Sequence, residues 1–362
     1  MTKERISKLR KLFTKNYEAV VITNLNNVRY LCGYTGSNGI LLITKQQAFF
    51  FTDFRYQEQS QREINGCAEI VIVKNGENQG VFEKANSLGI KTLGFEKSLD
   101  VDRFLQFADF FKGGKLIPTD NLVEELRHYK DKDEAEYLQI AFDIADMSLE
   151  MLLNDIYIGM TEIEVAALLE LYMKMNGSEN PSFDTIVASG PNSSCPHHQP
   201  TNRKIQKGDM LKIDFGATYN GYHSDMTRTF FIGKATAKFK KIYGIVLEAQ
   251  TKAIEAIKIG EECKKIDAIA RKVITDAGYA KNFGHSLGHS FGLEIHERPN
   301  FSPLYPGKIE AGHTYTVEPG IYIPNWGGIR IEDSFMITKK GLHKFTNFPN
   351  DLIELDLKKK KW

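Results

Sequence analysis

No apolar run in the chain approaches the roughly 18 consecutive residues that a spanning helix needs, which argues against a membrane-embedded protein. There is no excess of either charge. Lys and Arg number 47 against 46 Asp and Glu, so a global electrostatic grip on nucleic acid or on an anionic membrane is not indicated. Cysteine is scarce: Cys32, Cys67, Cys195 and Cys263 are scattered without a CxxC pair. That excludes a disulfide-stapled scaffold and reads as free thiols in a reducing compartment. The N-terminus carries mixed charge with no apolar segment behind it. It does not read as a secretory signal, and the expected location is cytoplasmic. Histidine is nearly missing from the first half. Of nine, only His128 precedes residue 197, and the other eight fall between His197 and His343. Histidine is the commonest metal ligand and acid–base group, so the imbalance points to chemistry in the second part of the chain.

What is present is ordinary globular composition, with 42% apolar and 26% charged residues. A length of 362 residues suggests two domains or one large one. The first 120 residues alternate short β-rich runs, starting at Val20, Ile40, Ala48, Ile70 and Thr92, with helical stretches at 55–63 and 79–88. This predicts a small α/β domain over residues 1–122 and a second domain over 123–362. The polar clusters Tyr34-Thr-Gly-Ser-Asn-Gly and Thr52-Asp-Phe-Arg-Tyr read as turn chemistry. The charged stretch 128–134 reads as a hinge or the approach to a helix. That helix carries Ala135, Leu138, Ala141, Ile144, Ala145 and Leu149 at helical spacing. The C-terminal run 358–362, four lysines and Trp362, reads as a solvated tail.

The second part contains a diverged repeat. Ile156-Tyr-Ile-Gly leads through a capping box, Thr161 and Glu164, into a helix that stops at Gly177. One hundred and one residues later, Ile257-Lys-Ile-Gly leads into a helix that stops at Gly278. Matched length and a matched terminal glycine predict a pseudo-two-fold domain, with equivalent strands on either side of a central site.

Four segments carry chemistry. A strand-like run ends at Asp214. An Asn-Gly turn, Asn220 and Gly221, leads into a second strand from Ser224 that contains Asp225. The hairpin brings both carboxylates toward one region. Unpaired ionised groups in such apolar surroundings are very costly, so a cation must compensate them; Arg228 alone could do so. Next, Gly284-His-Ser-Leu-Gly-His-Ser-Phe-Gly-Leu-Glu-Ile-His-Glu sets His285, His289 and His296 among glycines. Glycine there permits close approach of the backbone. Glu318 ends a strand run before a Pro-Gly turn, and Glu332 is expected inside a strand.

Together these segments resemble the aminopeptidase P and prolidase branch of the pita-bread metallopeptidases, family M24. The resemblance covers nearly the whole chain. The clusters at 34–39 and 52–56 resemble the creatinase-type N-terminal domain. The stretch Ser182-Phe-Asp-Thr-Ile-Val-Ala-Ser-Gly-Pro-Asn-Ser, followed by Pro196 and His197, resembles the lead-in to the catalytic domain. The implied fold is α/β (α+β): a creatinase-like N-terminal α/β domain, then a pseudo-two-fold pita-bread catalytic domain. The implied cofactors are two divalent ions. Asp214 would chelate one, Asp225 and Glu332 would bridge both, and His289 and Glu318 would complete the second. Four carboxylates and two divalent ions nearly cancel, which supports the set. Oxygen-rich ligation with one nitrogen suits Mn²⁺ or Co²⁺, with Zn²⁺ or Fe²⁺ also compatible.

By the same resemblance Glu318 would shuttle the nucleophile's proton, and His197 and His296 would contact the carbonyl or the departing imino nitrogen. His285 would line a proline pocket, and Arg330 and Tyr322 would order substrate or ligands. The implied activity is release of the first residue from Xaa-Pro peptides by an aminopeptidase. A prolidase restricted to dipeptides is the first alternative, and a metal-free binding platform the second. Methionine aminopeptidase fits poorly with an N-terminal domain of this size, and creatinase with a full metal set. His198, His223, His313 and His343 read as surface or packing residues. The implied partners are short proline-containing peptides, with no nucleic acid or membrane, and the implied assembly is a homodimer whose N-terminal domains reach toward the partner's active site.

Overall fold

A computed structural model describes residues 2–64 and 66–358; the end of the lysine run, from 359 on, lies outside the described residues. The chain divides into two compact units, residues 1–127 and 128–362.

The first unit runs α1 (Thr2–Lys11), β1 (Ala19–Ile22), α2 (Leu25–Cys32), β2 (Ile40–Thr44), β3 (Ala48–Thr52), α3 (Gln57–Glu63), β4 (Glu69–Ile72), α4 (Glu77–Ser87), β5 (Thr92–Glu96), α5 (Val101–Phe110), β6 (Lys115–Thr119) and α6 (Leu122–Arg127). The six strands form one mixed sheet in the order β4-β3-β2-β1-β5-β6. Its three central strands read as unbroken apolar runs because both faces are covered, and Val20, Val21, Leu41, Leu42, Phe50 and Phe51 are fully buried. The expected strands are present. Strand β6 and helices α1, α2 and α5 were not anticipated. Strand β6 is an edge strand containing Pro118, and such strands carry little pattern. The unit closes one short helix later than the expected boundary at 122. Helix α6 is tied to α2, where Asn27 Nδ2 donates to Glu124 Oε1 (2.7 Å) and Arg127 Nη1 to Asn27 Oδ1 (2.7 Å). The polar clusters at 34–39 and 52–56 bond to each other: Asn38 Nδ2 donates to Asp53 Oδ2 (3.0 Å), and the Ser37 and Tyr56 hydroxyls lie 2.6 Å apart.

The second unit contains α7 (Lys132–Asp155), α8 (Glu162–Met175), β7 (Ile186–Ser189), β8 (Met210–Phe215), β9 (Thr218–Tyr219), β10 (Tyr222–His223), β11 (Met226–Ile232), α9 (Ala237–Ala256) and α10 (Cys263–Asp276). Eight strands follow the first five: β12 (Gly288–Ser290), β13 (Glu297–Phe301), β14 (Thr314–Val317), β15 (Gly320–Ile323), β16 (Gly327–Arg330), β17 (Asp333–Thr338), β18 (Gly341–Lys344) and β19 (Glu354–Leu355). The charged stretch before α7 is its cap: Asp131 and Glu134 form a capping box.

The repeat is visible in the backbone. Helices α8 and α10 start and stop at equivalent positions. Gly159 N–H donates to Ile205 O (2.9 Å) and Gly260 N–H to Ile309 O (2.8 Å). Gly177 and Gly278 both end their helices at positive φ, 104° and 89°, which glycine adopts without strain.

Each helix pair has its own core. Leu211, Ile213 and Phe215 of β8 pack with α7 and α8. Tyr315 and Val317 of β14, with Ile329 and Ile331, pack with α9 and α10. Side chains alternate across a strand, so the intervening residues face away from both cores. Those residues are Lys212 and Asp214, Thr316 and Glu318, and Arg330 and Glu332.

The first copy of the repeat has a side-chain cap and the second does not: Thr161 caps α8, whereas Glu262 makes no capping bond to α10. Thr161→Ala should therefore cost about 1 kcal/mol of unfolding free energy, read by urea denaturation, while Glu262→Ala should cost clearly less.

Candidate metal centre

The β8–β11 pairing sets Asp214 opposite Thr227. Between these strands, β9 and β10 close a two-residue turn in which Asn220 and Gly221 take φ of 46° and 74°, as a type I′ turn requires. Asp225 immediately precedes β11. Glu332 is not inside a strand as expected. It sits in the step between β16 and β17, where its N–H donates to Thr227 O (3.1 Å). A residue at a strand end can turn its carboxylate inward without giving up a ladder partner. Asp214, Asp225 and Glu332 are buried and bring one oxygen each within 4.8 Å of one another. His289 on β12 adjoins them, its Nε2 lying 3.4 Å from Asp225 Oδ2 and 3.5 Å from Glu318 Oε1. All five ligand candidates thus converge.

Glycine makes the convergence sterically feasible at two places. A Cβ on Gly288 would lie 2.0 Å from Thr316 O, and one on Gly216 would lie 1.8 Å from Ser224 O. The backbones flanking His289 and Asp225 approach closer than any side chain permits.

The compensating cation is Arg330, not Arg228. Successive residues of β11 point to opposite faces, and Arg228 turns away to pair with Asp333 (2.8 Å) and to donate to Pro349 O (2.8 Å). Arg330 Nη2 pairs with Asp214 Oδ2, Nη1 donates to the Tyr322 hydroxyl (2.9 Å), and Nε donates to Thr227 Oγ1 (2.9 Å). Thr227 Oγ1–H in turn donates to Glu332 Oε2 (2.7 Å). Thr316 accepts from His289 N–H (3.0 Å) and donates to Glu318 Oε1 (3.2 Å). Both threonines were missed in the sequence; the available signal was their place two residues from a site carboxylate on the same strand face.

The charge count does not close on protein groups alone. Four carboxylates face one guanidinium and one imidazole. Burial and mutual repulsion hold Asp225, Glu318 and Glu332 above the usual carboxylate range. Burial alone would lower His289, but the hydrogen bond to Asp225 and the charge of Glu318 outweigh it and raise the imidazole to about 9. Asp214 Oδ1 and Glu332 Oε1 are buried with no hydrogen-bond partner. Buried orphan oxygens amid surplus negative charge suit divalent cations. His289 is oriented for ligation: Nδ1–H donates to Ser290 O (3.1 Å), so Nε2 is the ring nitrogen turned toward the carboxylates, where a metal would take the place of its proton.

A cavity of about 560 Å³ opens over this cluster, lined also by Phe183, Ile186, His197, His285, Ile295 and His296. His285 is held within its wall. Its Nδ1–H donates to Ser286 O (2.8 Å), and its Nε2 accepts from the Tyr322 hydroxyl (3.0 Å). Burial and the nearby Arg330 push it down to about 3. Both ring nitrogens are engaged, so this neutral imidazole offers the cavity a ring surface. His296 lies against His289, ring centroids 4.4 Å apart, and burial with that neighbour's charge lowers it to about 4. His197 is exposed at the cavity rim. Of the four histidines given no role, His313 is buried against Tyr315, while His223 contacts Thr218 and His343 contacts Gln139, away from the cavity. His198 instead binds the buried Glu162 (2.9 Å).

Residues 136–339 match Metallopeptidase family M24, and residues 5–129 match the Creatinase/Prolidase N-terminal domain. A Xaa-Pro dipeptidase from Bacillus anthracis superposes with a TM-score of 0.95 at 41% identity, covering 98% of this chain and all of that one. A Xaa-Pro dipeptidase from Pyrococcus horikoshii is 39% identical over 97% of this chain and 99% of its own length. An X-Pro aminopeptidase from Thermotoga maritima superposes with a TM-score of 0.89 at 36% identity, covering 96% of this chain and 99% of that one. The chain belongs to metallopeptidase family M24 and carries the creatinase/prolidase N-terminal domain. Members of this family bind divalent metals. Among the described residues, no helix is long and apolar enough to cross a membrane.

Gly288→Ala should displace His289 and lower the metal content measured by atomic absorption, whereas Gly244→Ala, with nothing within 4 Å of the added carbon, should not. The raised groups also predict a pH response. In the metal-free fold, Glu318, Glu332 and His289 hold more protons than in the unfolded chain between about pH 7 and 8.5, above the range in which the depressed His285, His296 and His313 respond in the opposite sense. The stability of the metal-free protein should therefore fall as pH rises through that window. Divalent metal should abolish this slope, as followed by thermal unfolding with and without chelator.

Proposed function

We propose that this chain is a metal-dependent Xaa-Pro exopeptidase acting as a dipeptidase, with Asp214, Asp225, His289, Glu318 and Glu332 holding two divalent ions, most naturally Mn²⁺ or Co²⁺. The observation that carries the reading is the buried cluster of Asp214, Asp225 and Glu332 with its orphaned oxygens, joined by the half-buried Glu318 and open to a cavity walled by the neutral His285 and His296. Bound divalent ions would supply Lewis-acid polarisation of a carbonyl and activation of water. The chain's own groups do the rest. Glu318, placed between His289 and Arg330, would accept and return the nucleophile's proton. His296 is neutral and can hydrogen-bond a carbonyl or a departing imino nitrogen; His197 at the rim shares that role. The ring of His285, locked by Tyr322, faces a proline ring together with Phe183 and Ile295. Arg330 and Tyr322 hold Asp214 and His285 in place.

The aminopeptidase expected from the sequence yields to the dipeptidase alternative, because relatives named Xaa-Pro dipeptidase at 39% and 41% identity span essentially the whole chain. The T. maritima relative keeps the aminopeptidase as the second reading. A cytoplasmic homodimer acting on short proline-containing peptides completes the proposal, on the family resemblance. Metal-loaded protein should hydrolyse Ala-Pro at least tenfold faster than Ala-Pro-Ala; the reverse order in paired kcat/KM measurements would restore the aminopeptidase. His289→Ala should lose one metal equivalent and most activity, and full activity in that variant would remove His289 from the ligand set.

A further inference from the structure

Glu162 opens α8 outside the cavity, its side chain fully buried. Its carboxylate receives bonds from Ser189 N–H (2.7 Å), Ser189 Oγ (2.7 Å), Asn192 Nδ2 (3.0 and 3.2 Å), His198 Nε2 (2.9 Å), Thr201 N–H (3.0 Å) and Thr201 Oγ1 (2.6 Å). Burial opposes ionisation, but the bonds from Thr201, His198 and Ser189 outweigh it and hold the carboxyl at about 2. Every one of these donors lies on residues 189–201, the segment that brings His197 to the cavity rim.

The same segment is gripped from its other side. Lys212 Nζ donates to Cys195 O (2.7 Å) and Pro196 O (3.2 Å), and Arg330 Nη1 to Pro196 O (3.4 Å). His197 thus stands between a clamped Pro196 carbonyl and a clamped His198 ring. Because His197 itself is exposed, its place is set by the backbone on either side. The other half of the pseudo-symmetric unit uses a related device. Buried Asp267 on α10 accepts from Leu287 N–H (3.0 Å) and pairs with Arg271 (2.9 Å), which donates to Phe283 O (3.0 Å) and His285 O (2.8 Å). In each half, a carboxylate on the second helix hooks the loop that delivers a cavity histidine.

We propose that Glu162 is a positioning residue that acts through His197, ordering the 189–201 segment so that this imidazole meets the substrate at the rim. The proposal rests on the peptidase reading above.

The test is a double-mutant cycle on metal-loaded protein with Ala-Pro, using Glu162→Gln, His197→Ala and the pair. A misplaced catalytic group costs one to two orders of magnitude. Glu162→Gln should therefore lower kcat about tenfold or more, with both metals retained and KM changed less than about twofold. In the His197→Ala background the same change should cost less than about twofold, since interacting positions are non-additive. In metal-free protein, imidazole NMR should show the His197 resonance moved by Glu162→Gln while that of His285 stays. Losses that multiply in the pair, unchanged kcat in a folded Glu162→Gln, or an unmoved His197 resonance would each overturn the proposal. If Glu162→Gln does not fold, Thr201→Val and Asn192→Ala, which each remove one side-chain donor, take its place in the cycle. Wild-type protein inactive on Xaa-Pro dipeptides would defeat the peptidase reading instead, and the NMR comparison would then decide the role of Glu162.

Discussion

Four carboxylates gathered in one cluster, three of them buried and Glu318 half-buried, constrain the whole second unit. Isolated, each would resist ionisation in a low-dielectric site, and together they repel. Arg330 and His289 offset part of the charge, and the remainder appears as carboxyl groups held well above their ordinary range. A fold that keeps such a cluster must supply both a rigid frame to hold the groups together and a cation to neutralise them. The orphaned oxygens of Asp214 and Glu332 mark where that cation belongs.

The frame follows from repetition. Two helix pairs each bury one face of a group of strands, so the opposite faces of those strands meet at the centre. Alternation along β8 places Asp214 on the inner face, and Glu318 and Glu332, just past the ends of β14 and β16, continue on that side, with apolar neighbours locked in separate cores. Threonines two residues from the carboxylates fill the same face and relay hydrogen bonds between them: Thr227 between Arg330 and Glu332, and Thr316 between the His289 backbone and Glu318. The close approach at Gly216 and Gly288 lets these inner faces converge.

Around the charged floor His285 and His296 are kept neutral, and for different reasons. His285 is buried beside a permanent cation and has both nitrogens occupied, so it serves as a wall. His296 is depressed by burial and by the positive character of His289. His289 alone is driven toward charge by the carboxylates, which is the environment a metal would replace. Placement alone thus gives identical side chains different charge and different partners.

Much of this was legible in the chain. The alternating runs of the first unit, the repeated helix with its glycine stop, the Asn-Gly hairpin and the five ligand candidates are local patterns, and local sterics and hydrogen bonding decide them. Edge strand β6 and the extra helices were not legible, because Pro118 and weak periodicity blur short elements at the margin of a sheet. Nor were the pairings. The sequence offered Arg228 as the counter-charge, since it lies nearest Asp225 along the chain. Strand alternation sends it to Asp333, and Arg330, a hundred residues away, takes the place. His198 reads as a surface or packing residue and Glu162 carries no signal of its own; only the folded chain shows them clamped together, holding the segment that carries His197. The sequence by itself determined which groups are available and which face of each strand they occupy, because period and turn chemistry act over a few residues. Which charges meet, and which oxygens are left without partners, was decided only by the tertiary structure, because Coulomb and hydrogen-bond energies depend on distances in space that no local spacing encodes.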